Sequence, residues 1–284
     1  MTSLVRAERA HAKINLVLHI LAREASGYHG IETLFQRLAL HDVVTVRVGE
    51  RDRSLTCEGP TMPADGLGPQ EQNLAWRAAA AYADASGWET GWSIVIDKQI
   101  PVGGGLGGGS ADAAAVLRAF EAMSPAPLGP SRLLEIAGTL GADVPFLTLD
   151  VSRAWAWGRG DRLLVLPPLP SVPVALFTFS EGVNTGAAYG AFAAMRATSG
   201  AAIAARAYPF SAFATWTQIA EIAANDFELV VPTMHAGVAA VLPRVKAQAA
   251  ELHASGVPAI GLLSGSGATC VLVGAGGPES TSTA

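Results

Sequence analysis

Pro101-Val102-Gly103-Gly104-Gly105-Leu106-Gly107-Gly108-Gly109-Ser110-Ala111-Asp112-Ala113-Ala114-Ala115-Val116-Leu117 is the stretch on which the reading of this chain turns. Six of its first nine residues are glycine, and it runs without a break into an alanine-rich segment of high helix propensity that reaches about Met123. Glycines leave the main chain uncovered, so successive N–H groups can close around a polyanion. The free N–H groups and dipole of the helix that follows add positive potential at the same place. A strand-like run, Trp92-Ser-Ile-Val-Ile-Asp97, precedes the loop, so it is anchored on both sides and is not a flexible linker. The expected guest is a phosphate group.

Two common phosphate loops do not fit. A Walker loop requires Lys and then Ser or Thr after its last glycine, whereas here Ser110 follows Gly109 directly. Gly103-x-Gly105-x-x-Gly108 satisfies the bare dinucleotide pattern, but that pattern should lead through helix and strand to an acidic residue about 20 positions on. The chain instead turns at the proline-rich Met123-Ser-Pro-Ala-Pro-Leu-Gly-Pro130 and enters another helix.

The 284 residues allow one large domain or two ordinary ones, and half of them are hydrophobic, ample for a core. A net charge of −5 with dispersed arginines argues against a nucleic-acid partner. Lysine occurs only at Lys13, Lys98 and Lys246 in a chain that otherwise uses arginine, which draws attention to each. Cys57 and Cys270 stand apart with no metal-type spacing, so both are read as small hydrophobes in a reducing compartment and no protein-held metal is expected. No uninterrupted apolar run is long enough for a membrane span and no signal peptide is expected, so the chain is expected to be cytoplasmic.

In chain order, 5–23 reads as a strand containing Lys13, and Gly27-Tyr28-His29-Gly30 as a turn. Residues 42–48 read as a strand, and 73–87 as an amphipathic helix with Asn73 as its N-cap. Residues 131–140 form a helix closed by Gly141. Asp143 follows in an apolar stretch where an aspartate is commonly a cap or turn residue. Gly158-Arg-Gly-Asp-Arg162 and Pro167-Pro168 suggest a boundary, giving domains of 1–162 and 163–284. Beyond it come helices at 229–242 and 243–255, a second glycine turn at Ser264-Gly-Ser-Gly-Ala-Thr269 and a disordered tail from 274. Strands and helices alternate without equal β-α-β units, so two-layer α+β domains suit the pattern better than a doubly wound sheet.

With these residues together, the chain resembles the GHMP superfamily of small-molecule kinases. The likeness rests on the glycine loop, Ala12-Lys-Ile-Asn-Leu16, Gly27-Tyr-His29, Gly141-Ala-Asp-Val-Pro-Phe146, Asn225-Asp-Phe-Glu228 and Ser264-Gly-Ser-Gly-Ala268, and it runs from residue 5 to about 274. Within the superfamily the likeness is to the branch that phosphorylates the 2-hydroxyl of a cytidine-diphosphate-linked methylerythritol, a step of the non-mevalonate isoprenoid route. The resemblance implies two domains, one like the second domain of ribosomal protein S5 and one ferredoxin-like. It implies that Lys13 and Asp143 are catalytic. ATP, with Mg2+ bound to it, would meet Asn73, Lys98, Pro101, Val102, Gly103, Gly104, Gly105, Leu106, Gly107, Gly108, Gly109 and Ser110. Substrate would meet Asn15, Tyr28, His29, Thr185 and Tyr189, although 182–189 matches the cytidine-lining region only loosely. The alternatives are a kinase of the same superfamily for another alcohol, of the homoserine, mevalonate or galactose type, and a nucleotide-binding sensor without catalysis. The presence of both Lys13 and Asp143 speaks against the sensor.

Overall fold

A computed structural model describes residues 3–23, 29–200, 205–274 and 281–283. The chain divides by compactness into two units: Met1–Lys13, Leu40–Val102 and Gly107–Val151 in the first, and Ile14–Ala39, Gly103–Leu106 and Ser152–Ala284 in the second. They interleave along the sequence because two long strands, β1 (Leu4–Arg23) and β2 (His29–Glu50), contribute residues to both. The boundary expected at 162/163 rests on composition and is a division of another kind.

In the first unit, β3 (Arg53–Glu58) lies parallel to β4 (Gly91–Asp97), which in turn pairs antiparallel with β2 from Val43↔Asp97 to Val48↔Trp92. Four helices accompany these strands: α1 (Leu74–Ser86), α2 (Gly108–Met123), α3 (Pro130–Leu140) and the single-turn α4 (Val144–Thr148). Asn73 caps α1 as its sequence requires, its side-chain oxygen accepting the N–H of Ala75 at 2.9 Å. Helix α2 is buried on nearly every side, from Ala111 through Phe120, and this accounts for its alanines: small side chains let α1 and α4 approach its backbone closely. Trp92, Tyr82 and Phe120 fill the space between sheet and helices, Trp92 meeting Phe120 edge-on at 5.7 Å.

In the second unit, β5 (Arg153–Gly158) pairs antiparallel with β2 from Ile31↔Gly158 to Gln36↔Arg153, and β6 (Arg162–Val165) pairs with β5. A separate antiparallel sheet holds β7 (Pro173–Phe177), β9 (Ile260–Ser264) and β10 (Thr269–Val273). The helices are α5 (Thr185–Ser199), α6 (Trp216–Ile222), α7 (Val231–Met234) and α8 (Ala236–Ala254), with the two-residue β8 (Ala224–Asn225) pairing with β1. The Asn225-Asp-Phe-Glu228 motif locks this unit together. Asn225 donates to the carbonyls of Leu263 and Gly265, Asp226 accepts the N–H of Ile20, and Glu228 accepts the N–H of Leu263.

Two expectations fail here. The helices expected at 229–242 and 243–255 are one helix from Ala236, running through Pro243. A proline inside a helix removes a hydrogen bond and crowds the preceding turn at a cost of about 3 kcal/mol. Val238, Leu242, Val245 and Ala249, buried along one face of α8, outweigh it at roughly 1.5–3 kcal/mol for each large side chain. The tail is also not without structure throughout, because β11 (Thr281–Thr283) pairs with β7; residues 275–280 lie outside the described residues.

Candidate active site

In the first unit the glycine stretch delivers the start of α2. Gly107 takes the N-cap position with φ 74°, a left-handed conformation, and no side chain caps the helix. A methyl group on Gly107 would lie 3.0 Å from Cγ and Cε of Lys13, so the lysine stem lies along this glycine. The lysine head group continues to Asp143, with Nζ 3.2 Å from Oδ2. Lys13 is 4% exposed, which disposes of a solvated outward face as the explanation for a lysine in β1. Asp143 precedes α4 without capping it, and its side chain keeps 26% of its surface open to solvent. Two features expected only by resemblance, a buried cation and a reachable carboxylate, thus meet beside an uncapped helix N-terminus.

Ser110 stands on the first turn of α2. Its hydroxyl lies 4.0 Å from the place a methyl group on Gly141 would take, so Gly141 leaves that oxygen uncovered next to the Asp143 segment. Asn73 also reaches Cys57, its amide nitrogen lying 3.8 Å from the sulfur. Lys98 is 2% exposed and paired with two carboxylates, Asp42 and Asp112. Neither acid stands out as a site residue in the sequence. Asp112 carries the one available signal, a carboxylate within the apolar run 111–117 of α2; Asp42 heads the run 42–48 that reads as a strand, and nothing local distinguishes it from a surface residue.

In the second unit the first half of the loop meets the second glycine turn, backbone against backbone. A methyl group on Gly105 would fall 2.4 Å from the carbonyl oxygen of Ser264, and one on Gly267 would fall 2.4 Å from the nitrogen of Gly105. Ser264 adds a hydroxyl hydrogen bond to the carbonyl of Gly105 at 3.2 Å. The turn is a hairpin between β9 and β10, and its glycines serve this close approach. Pro101 is half-buried while Val102 and Gly103 are exposed; Gly104 and Leu106 are buried.

The residues expected to meet substrate are placed as follows. Asn15 is buried and donates to Thr33 Oγ1 at 2.8 Å. Thr185 opens α5 with its hydroxyl 2.9 Å from that of Ser266. The rings of His29 and Tyr189 stack at 4.8 Å and 14°, and Tyr189 meets Phe227 edge-on at 4.9 Å. His29 therefore lies on a face of Tyr189. Tyr28 lies outside the described residues.

Among the described residues no three or more His, Cys, Asp or Glu side chains gather as a metal cage, and no helix is long and apolar enough to cross a membrane. Both cysteines are free.

The family described as GHMP kinases N terminal domain matches residues 73–150, which hold Asn73, Lys98, the glycine loop and Asp143. The 4-diphosphocytidyl-2-C-methyl-D-erythritol kinase of Syntrophotalea carbinolica is 38% identical over 261 residues, 92% of this chain and 86% of its own. That of Desulfitobacterium hafniense is 41% identical over 183 residues, 64% of this chain and 60% of its own. A crystal structure of a 4-(cytidine 5'-diphospho)-2C-methyl-D-erythritol kinase superposes with a TM-score of 0.68 at 33% identity, covering 95% of this chain and 91% of the other.

Proposed function

Since the chain belongs to the 4-diphosphocytidyl-2-C-methyl-D-erythritol kinase family of the GHMP kinases, we propose that it transfers the γ-phosphoryl group of ATP to the 2-hydroxyl of 4-diphosphocytidyl-2-C-methyl-D-erythritol. The observation that carries this reading is the Lys13–Asp143 pair, 3.2 Å apart, set against Gly107 at the open end of α2.

Phosphoryl transfer asks a protein mainly for positioning and for electrostatic stabilisation of the charge on the moving group. The main chain of 103–110 cradles the phosphates, and the α2 N-terminus faces their negative charge. Asp143 accepts the proton of the attacking hydroxyl as its oxygen bonds to the γ-phosphorus. The bond from phosphorus to the β–γ bridging oxygen breaks, and ADP leaves with that electron pair. Lys13 supplies a fixed positive charge beside the reacting groups. Ser110 is an oxygen donor of the kind Mg2+ takes, and an ion that draws its other ligands from phosphate and water needs no protein cage. Bound with ATP, the ion would neutralise phosphate charge.

Asn73 and Lys98 serve the nucleotide, and Asn15, His29, Thr185 and Tyr189 serve the cytidyl substrate, Tyr189 offering the flat surface a base stacks on. The cytoplasm suits this chemistry, and it keeps the free thiols of Cys57 and Cys270 reduced. ADP release by the purified protein, measured against a panel of alcohols, tests the reading. Turnover is expected with the cytidyl substrate and not with homoserine, mevalonate or galactose. Preference for any of those three would refute the assignment.

A further inference from the structure

Lys98 reaches no surface, and its ammonium is engaged from two sides. Asp112, on the first turns of α2, accepts from Nζ at 2.7 Å, and Asp42 of β2 accepts from it through Oδ2. The other oxygen of Asp42 accepts two main-chain N–H groups, those of Gln99 at 2.5 Å and Ile100 at 2.7 Å. Gln99 and Ile100 are the last residues before the glycine loop, and Asp112 belongs to the helix that leaves it. A methyl group on Gly108 would lie 3.5 Å from Lys98 Nζ and 3.3 Å from a methyl carbon of Ile100, so both flanks of the loop converge on the lysine head group.

The cluster holds two carboxylates against one ammonium, all of them buried, and Asp112 Oδ1 is buried with no hydrogen-bond partner. Excess buried negative charge is relieved by a proton. Burial pushes the Asp112 carboxyl up to about 7, Lys98 pulling the other way and Asp42 adding to the rise. Lys98 itself is raised, because Asp112 and Asp42 together outweigh its burial. From β3 the Cys57 thiol lies in the same field. Helix α4 contains no ionisable residue, and Arg77, Asp84, Arg132 and Glu135 of α1 and α3 are exposed while Tyr82 of α1 pairs with Glu121.

We propose that Lys98, Asp42 and Asp112 form a brace that fixes the two flanks of the phosphate loop, 99–100 and 108–112, so that Lys98 acts on ATP through the loop's main chain and not by touching the nucleotide. The proposal rests on the kinase reading above and makes Asp42 and Asp112 positioning residues for it. Main-chain groups that meet the phosphates equally in ground and transition states govern KM more than kcat. Loss of the brace therefore weakens ATP and leaves the alcohol alone.

The test compares the intact protein with Asp42→Asn, Asp112→Asn and Lys98→Met. ATP affinity is read by calorimetry, beside both KM values and the melting temperature. Asp42→Asn is expected to raise KM for ATP about tenfold, the loss of about 1.4 kcal/mol in binding, with KM for the alcohol unchanged. Asp112→Asn is expected to raise KM for ATP in the same direction, because an amide cannot pair with the Lys98 ammonium as a charge.

If Lys98→Met loses ATP while Asp42→Asn binds it normally, the lysine touches the nucleotide and the brace is refuted. A variant that melts earlier with both KM values intact marks a purely structural cluster and refutes it equally. Should Asp42→Asn not fold, Asp112→Asn decides, and ATP affinity and KM for ATP like the parent's overturn the proposal. Failure of the kinase reading shows separately, as normal ATP binding with no ADP release on any alcohol.

Discussion

A methylene stem and a charged head do separate work in Lys13. The stem lies on Gly107, where a side chain on the glycine would collide with it, and the head reaches Asp143. Methionine preserves the stem's packing and deletes the charge, and the partly exposed Asp143 carboxylate then has water to turn to. Lys13→Met is thus expected to melt near the parent temperature while kcat falls about 10²–10⁴-fold, the range typical of a lost acid–base or charge-stabilising group. Asp143→Asn should show the same division. Steady-state kinetics beside a thermal melt check both, and near-normal turnover in either variant would leave the pair with a structural role only. The sequence alone could place a lysine in a strand and an aspartate after a glycine, but their pairing is a long-range contact that no local rule encodes.

Helix α8 illustrates a local rule yielding to burial. Pro243 sits in its interior, and from sequence it divides the segment in two; the apolar face of Val238, Leu242, Val245 and Ala249 keeps the helix whole. Pro243 is itself exposed, so its ring contributes little packing to set against the lost hydrogen bond. Pro243→Ala should therefore raise stability, by up to about 3 kcal/mol on the difference in helix propensity. Urea denaturation reads this as a higher midpoint at unchanged slope. Other elements were legible in place and kind: α1 with its Asn73 cap, β4, and the glycine loop opening α2. Their signals lie within a few residues of one another. The first half of β2 was not legible, because its pairing partner β5 is remote in the chain and Ile31-Glu-Thr-Leu-Phe-Gln carries no period that separates strand from helix.

At the scale of the molecule, the fold class followed from short motifs in a fixed order, and the glycine loop, Asn73, Lys13 and Asp143 were all visible as residues. What stayed hidden was the set of partners, Asp42 and Asp112 around Lys98 and Thr185 with Ser266, since these depend on how separate segments are brought together. A nucleotide that binds only the folded chain must raise its stability by mass action, about 2.7 kcal/mol at one hundred times its Kd. ATP alone, with no alcohol present, is expected to raise the melting temperature of Asp143→Asn as much as that of the parent, because that carboxylate is assigned to chemistry and not to the phosphates. A melt insensitive to ATP in both proteins would contradict the phosphate loop. The contact of Gly105 with Gly267 carries its own consequence for how this sequence can change. The atoms that would obstruct a side chain at either position belong to main chain, which no replacement elsewhere can shorten. In a library randomised at both codons, selection should return glycine at each, and a lost glycine at one site should find no suppressor at the other.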